Sequence, residues 1–203
     1  MKLRFTALIL CGACILMFVL QVLIGTEFFL LIRSQMLSEP WRLVTSLFAH
    51  GGMDHLLANL FALGLFGLLL EGRIGGNKLL MLFFTSGIVV NLITPYERSL
   101  GASGAIMAII GALTVLRPKM TVWVSGMPMP MIIAGLIYLI QDSLGLFIPS
   151  DVGHWAHLGG LFIGVGFGFY WRKEFGDRLF KKKNPRDKEI DRELDKWEEK
   201  YMK

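Results

Sequence analysis

The chain has 203 residues, of which 54% are hydrophobic and 18% are charged, and its net charge at pH 7 is +5. This length fits a single domain, and so apolar a composition excludes an ordinary water-soluble globular protein. Twelve of the 21 Lys and Arg and nine of the 16 Asp and Glu lie in residues 172–203. Because acids and bases alternate in this tail, the positive charge does not indicate a nucleic-acid partner.

Six apolar segments predict membrane-spanning helices, since about 20 apolar residues cross a hydrocarbon layer of roughly 30 Å. Unpaired backbone groups are not tolerated in lipid, so the predicted fold is an all-α bundle of six transmembrane helices. The segments are Phe5–Ile24, Gly51–Leu70, Leu79–Ile93, Ser103–Leu116, Met129–Phe147 and Trp155–Trp171.

The first segment has two alternative interpretations. A signal peptide would need a small-residue cleavage site before Glu27, and this segment has no convincing one. Further apolar segments also follow, so we predict that the first helix is retained. Cys11 and Cys14 form a C-x-x-C within this segment. A redox role would need water and a thioredoxin-like context, so the spacing favours helix packing.

The distribution of Lys and Arg predicts that both termini are cytosolic. With the N-terminus inside, the cytosolic side carries 18 of these residues and the outer side carries only Arg33, Arg42 and Arg98. Residues 1–172 then form the six-span domain, and 173–203 form a charged cytosolic tail, helical from about 186. Packing on the membrane domain, binding to lipid headgroups, dimerisation and simple solvation all remain open for this tail.

Two outer connections are unusually apolar for solvated loops. Residues 25–50 are predicted to lie in the membrane interface, and Asp142–Gly153 to form a loop resembling a lid. Plain interfacial anchoring is the alternative for both.

Four polar residues within the predicted spans point to function, because such groups are costly in a membrane. Counting at about 1.5 Å per residue places Ser103, His157, His55 and Asn59 about 18 to 24 Å from the cytosolic charges, at nearly one level below the outer edge of the membrane. The segment that begins at Ser103 is too short to cross alone, so the backbone before it must line a wet cavity.

Small residues let two of these helices approach closely. Gly104 lies on a small-residue face of the fourth span, and Gly160, Gly164 and Gly168 repeat every four residues on the sixth. This packing is expected to lean His157 towards Ser103.

The group of polar residues predicts acyl-transfer chemistry. Ser103 would attack a carbonyl while His157 takes its proton. The free Ser103 N–H at the helix start, with Asn59 and His55, would stabilise an oxyanion. No acidic residue is predicted within a span to orient the imidazole, which favours a Ser–His dyad over a triad.

Five motifs in order resemble the rhomboid family of intramembrane serine proteases, over roughly residues 41–170. They are Trp41-Arg42, the run His50-Gly51-Gly52-Met53-Asp54-His55-Leu56-Leu57-Ala58-Asn59, then Glu71-Gly72-Arg73, Gly101-Ala102-Ser103-Gly104 and Ala156-His157-Leu158-Gly159-Gly160.

The resemblance implies an endopeptidase that cleaves transmembrane segments of other proteins and needs no metal or cofactor. It implies Ser103 as nucleophile, His157 as base, and His55, Asn59 and the Ser103 N–H as oxyanion donors. His50 would be structural, and Trp41, Arg42, Gly101 and Gly104 would lie near the site. The expected location is the cell membrane of a prokaryote, with the active site opening to the extracytoplasmic side.

One position departs from the family pattern. Many members carry an aromatic four residues after the serine, where it stacks on the imidazole, and this chain has Met107. A thioether can also contact a ring. His154 is an additional histidine that we interpret as interfacial.

Two other classes of protein compete with a protease. An inactive relative could bind membrane clients, although this chain keeps both Ser103 and His157. A metal or ion transporter could use the four histidines, but there is no H-E-x-x-H and carboxylates are few in the spans.

Overall fold

The computed structural model describes residues 5–124, 126–150, 152–180, 192–193 and 196, with no side-chain detail for 175–180. The chain divides into two compact units, Met1–Phe169 and Tyr170–Lys203. The predicted tail helix from about residue 186 lies outside the described residues, except that 192, 193 and 196 are helical.

The described structure is mostly helical, and a helix coincides with each of the six predicted segments. The helices are α1 Thr6–Ile24, α2 Arg42–Thr45, α3 Met53–Ile74, α4 Gly76–Ile93, α5 Ser103–Leu116, α6 Met131–Gly145 and α7 His154–Phe180. Among the described residues, α1, α3 and α4 are long and apolar enough to cross a membrane, and α5 and α6 are shorter apolar helices.

The strands are a departure from the all-α prediction. In the first two-stranded antiparallel sheet, β1 Leu31–Ile32 pairs with β2 Arg98–Ser99. In the second, β3 Thr121–Val124 pairs with β4 Met127–Pro130 as a hairpin between α5 and α6. Sequence patterns missed both sheets, because two-residue and four-residue strands are too short to show an alternation.

The connection between α1 and α3 is a folded structure. Its centre is the buried guanidinium of Arg42, which donates hydrogen bonds to the backbone oxygens of Glu27 and Leu30 and pairs with Glu39. The β1–β2 pairing fastens the same connection to the chain just before Ser103. The connection therefore supports the start of α5.

The carboxylate of Glu71, near the end of α3, caps the start of α1. Its two oxygens accept hydrogen bonds from the backbone N–H groups of Thr6 and Ala7, at 2.9 and 3.0 Å. The first N–H groups of a helix have no intrahelical partner, and a buried carboxylate satisfies them while complementing the helix dipole.

Contacts between small residues hold α7 against α5, as predicted. An added Cβ at Gly160 would lie 1.9 Å from the Gly104 oxygen, and one at Gly164 would lie 1.9 Å from the Ala108 oxygen. The two backbones can approach this closely only because the intervening side chains are hydrogen atoms.

The predicted lid-like loop at Asp142–Gly153 was wrong at its start. Asp142 lies within α6, which continues to Gly145, and the carboxyl group is buried. The apolar residues after it remain on the surface, with Phe147 86% exposed.

Candidate active site

Ser103 is the first residue of α5, the most deeply buried helix of the described structure, and it lies at the edge of a cavity. The backbone before it is fixed, because the Gly101 N–H donates to the Ser46 oxygen over 2.8 Å. Ser46 is held in turn by Asn91, whose amide nitrogen lies 2.9 Å from the Ser46 hydroxyl. The Ser103 N–H, at the first turn, needs no intrahelical partner and can serve a ligand.

Gly101 brings His55 close to the serine. Its φ of +114° lies in the region that only glycine adopts readily. An added Cβ would lie 2.9 Å from His55 Nε2 and 3.9 Å from Ser103 Oγ. The glycine thus leaves space for the imidazole beside the hydroxyl.

The contacts of His55 define its tautomer. The Gly51 N–H points at His55 Nδ1, at 3.4 Å, so Nδ1 is the acceptor and Nε2 carries the hydrogen. His55 Nε2–H is therefore a donor on the side that faces Gly101.

Asn59 is buried on the same face of α3, and its side-chain amide donates one hydrogen to the backbone oxygen of His55, at 2.8 Å. The second hydrogen of that amide is a further donor for the cavity.

His157 lies on the first turn of α7, opposite the start of α5. The contact is direct, since an added Cβ at Gly104 would lie 3.3 Å from the Ala156 oxygen. Ser103, His157, His55 and Asn59 line one cavity of about 1060 Å³. The structure therefore brings together the four residues that the sequence placed at one depth.

The inference that no acidic residue reaches the imidazole was wrong. The Oδ1 atom of Asp142 lies 2.9 Å from His157 Nδ1 and 2.7 Å from His154 Nδ1. The sequence placed Asp142 at the start of a loop, so its approach to α7 could not be seen.

His154 is also more than the interfacial residue expected. Besides its contact with Asp142, its Nε2 lies 3.0 Å from the Ser150 hydroxyl. Its ring occupies the space beside Gly145, where an added Cβ would be only 2.3 Å from a ring carbon.

The same three side chains have the composition of a metal site. One ligand atom each from Asp142, His154 and His157 lie within 4.8 Å of one another. In a tetrahedral zinc site with bonds near 2.0 Å, ligand atoms are about 3.3 Å apart. The separations of 2.7 and 2.9 Å are those of direct hydrogen bonds. The geometry therefore favours a carboxylate shared by two imidazoles.

His50 ties the start of α3 to α1. Its backbone N–H donates to Gln21 Oε1 at 2.8 Å, and its backbone oxygen accepts from Gln21 Nε2 at 3.0 Å. Its Nδ1 lies 3.0 Å from the Phe48 oxygen. Burial, together with the smaller effect of the neighbouring His55, lowers the pKa of His50 to about 4. The ring is neutral at physiological pH, in keeping with a structural position.

Of the other residues expected near the site, Met107 lines the cavity, whereas Trp41 and Arg42 lie away from it. Met107 is buried, lines the cavity and lies close to α7, since an added Cβ at Gly160 would be 3.3 Å from its Cβ. Trp41 is about half exposed and does not line the cavity. Arg42 acts through the α1–α3 connection rather than at the cavity.

A second support of that connection lies at Glu97. The hydroxyl and the backbone N–H of Ser34 both donate to this carboxylate, and these hydrogen bonds lower the pKa of Glu97. Sequence reasoning missed Glu97, Ser46 and Asn91, because each acts through a contact between residues far apart in the chain.

Apolar helices that enclose a cavity with buried polar side chains are typical of an integral membrane protein. The family model described as the Rhomboid domain matches residues 37–174, which is more than half of the chain. The protein belongs to the rhomboid family.

Curated relatives agree with this assignment. The chain is 35% identical to Rhomboid-like protease 3 of Toxoplasma gondii over 152 residues, which is 68% of this chain and 54% of the relative. It is 34% identical to the putative rhomboid protease YdcA of Bacillus subtilis, over 61% of this chain and 63% of the relative. It is 31% identical to RHOMBOID-like protein 6, mitochondrial, of Arabidopsis thaliana, over 65% and 44%.

The relatives are longer than the matched region. The chain spans between 34% and 63% of the length of these and similar curated relatives.

Proposed function

We propose that the protein is an intramembrane serine endopeptidase that hydrolyses peptide bonds in or near transmembrane segments of other membrane proteins. The observation that carries this proposal is the shared cavity of Ser103, His157, His55 and Asn59 at the start of a buried apolar helix. Membership of the rhomboid family and the relatives named as proteases support it.

The proposed reaction uses the groups in turn. Ser103 Oγ attacks the carbonyl carbon of the scissile bond, and His157 Nε2 takes the hydroxyl proton. The negative oxygen is stabilised by the Ser103 N–H, His55 Nε2–H and the Asn59 amide. His157 then returns the proton to the leaving amine. Water hydrolyses the acyl-enzyme by the same route, which restores the serine.

The membrane arrangement is part of the proposal. We place both termini in the cytosol, six helices across the cell membrane of a prokaryote, and the cavity open to the extracytoplasmic side. Transmembrane segments of substrates would enter from the lipid and unwind at the cavity. No metal or cofactor is required by these steps.

Labelling with a fluorophosphonate probe tests the nucleophile. The wild-type protein in detergent micelles should be labelled and should cleave a transmembrane substrate, and Ser103→Ala should lose both activities entirely. Ser150→Ala is a matched control, since Ser150 also contacts a histidine bound to Asp142, and this variant should still be labelled. An unlabelled wild-type protein would favour the alternative, an inactive relative that binds membrane clients.

A further inference from the structure

We propose that Asp142 is a positioning residue that holds His157 in the orientation and tautomer needed by Ser103, while the proton moves only between Ser103 and His157. This inference deepens the proposed function and rests on it. It starts from the carboxylate of Asp142, which is only 5% exposed and contacts two imidazoles through one oxygen.

The hydrogen bonds around Asp142 define which ring nitrogen of His154 and of His157 carries the hydrogen. A carboxylate only accepts, so His157 Nδ1 and His154 Nδ1 must both carry hydrogens. In a neutral imidazole the other nitrogen is then an acceptor. His154 Nε2 accepts from the Ser150 hydroxyl at 3.0 Å. By the same logic His157 Nε2, on the ring that lines the cavity with Ser103, is an acceptor ready for a hydroxyl proton.

The helix that carries Asp142 is itself fixed against α5. An added Cβ at Gly135 would lie 2.5 Å from Thr114 Oγ1, so α6 and α5 are in close contact there. Asp142 lies seven residues later, which is two helical turns along the same face. Because Ser103 also belongs to α5, the carboxylate and the proposed nucleophile lie on two helices that pack directly against each other.

The carboxylate also supplies charge where the reaction needs it. When His157 takes the proton it becomes a cation, and Asp142 lies against the nitrogen that shares this charge. A buried carboxylate beside a developing imidazolium stabilises the transition state more than the ground state. Met107 replaces the aromatic that would otherwise restrain the ring, which leaves Asp142 as the polar restraint visible among the described residues.

His154 has a supporting part in this arrangement. It gives Asp142 a second hydrogen bond that is separate from the one to His157, and it does not face Ser103 in any described contact. Removing it should therefore leave the Asp142–His157 contact in place. This difference between His154 and Asp142 provides the control.

The test compares Asp142→Asn and His154→Ala with the wild-type protein in detergent micelles, using kcat and KM for a transmembrane substrate and the rate of fluorophosphonate labelling. Asp142→Asn presents an amide that can donate to His157 Nδ1 and so favours the wrong tautomer. We expect kcat and the labelling rate to fall by at least about tenfold with KM within about twofold. We expect kcat of His154→Ala to stay within about threefold of wild type.

The outcomes separate this inference from the proposed function. If kcat of Asp142→Asn equals that of wild type, or falls only as far as that of His154→Ala, the positioning role is overturned and the protease proposal stands. A loss caused by unfolding would lower the apparent melting temperature and the folded fraction while leaving KM unchanged, so kcat is expressed per folded protein. A fall in kcat that disappears after this correction also overturns the positioning role. A wild-type protein without labelling or cleavage overturns both proposals.

Discussion

At the scale of single residues, the site depends on positions where only glycine leaves enough space and allows the backbone conformation. Gly101 is the clearest case, because it combines a φ of +114° with a close approach to the His55 ring. Its backbone N–H also donates a hydrogen bond to the Ser46 backbone oxygen. Ser103 and His55 are thus positioned by a residue without chemistry of its own.

We expect Gly101→Ala to abolish most cleavage, by about 100-fold or more, because the methyl group would displace His55 and the backbone would be strained by about 1–3 kcal/mol. The measurement is kcat/KM on a transmembrane substrate. Gly52→Ala is the matched control, since its φ of 168° is ordinary extended backbone and an added Cβ meets nothing within 4 Å. Equal activities of the two variants would contradict this role of Gly101.

At the scale of helices, the position of His157 depends on how closely α7 packs on α5. The contacts run through Gly160, Gly164 and Gly168, each close to the α5 backbone. In a membrane the hydrophobic effect does not drive helices together, so close packing supplies the association energy. The same contacts set the register that places His157 beside the start of α5.

We expect Gly164→Ala to destabilise the protein by about 1–3 kcal/mol, because the added methyl would meet the Ala108 oxygen and force the helices apart. The apparent melting temperature in micelles should fall by several degrees, and activity should fall with it. Gly166→Ala, two residues along the same helix, meets nothing within 4 Å and should be neutral or slightly stabilising. A Gly164→Ala protein as stable as Gly166→Ala would show that this contact is not tight.

At the scale of the whole molecule, charge asymmetry predicts which face of the membrane each connection meets. Residues 25–50 carry Arg33 and Arg42 but belong to the side poor in positive charge, and the β3–β4 hairpin follows Arg117 and Lys119 on the opposite side. Leu37, 97% exposed, and Met127, 62% exposed, are accessible markers for these two sides.

We expect a membrane-impermeant maleimide to label Leu37→Cys in intact spheroplasts, and Met127→Cys only after permeabilisation. Both variants would be made with Cys11 and Cys14 replaced by serine, so that the introduced thiol is the only one. Labelling in the reverse order would show that the orientation proposed from the Lys and Arg count is inverted. Labelling of both in intact spheroplasts would show that the two connections share a side.

The sequence alone was enough to predict the helices and to place the main polar residues at one predicted depth. Long apolar runs can only be helices in lipid, and a rise of 1.5 Å per residue turns distance along the chain into depth, so Ser103, His157, His55 and Asn59 could be grouped without coordinates. Small residues four apart likewise predicted the α5–α7 contact, because that spacing by itself defines a helix face.

Only the tertiary structure decided which side chains meet across different helices. Asp142 is separated by 15 residues from His157, and its role depends on where α6 ends and how that helix packs, neither of which has a periodic signal. Ser46 and Gly101 meet through backbone atoms, which carry no sequence information. The proposed nucleophile could therefore be selected from the sequence, whereas the acid that contacts its proposed base could not.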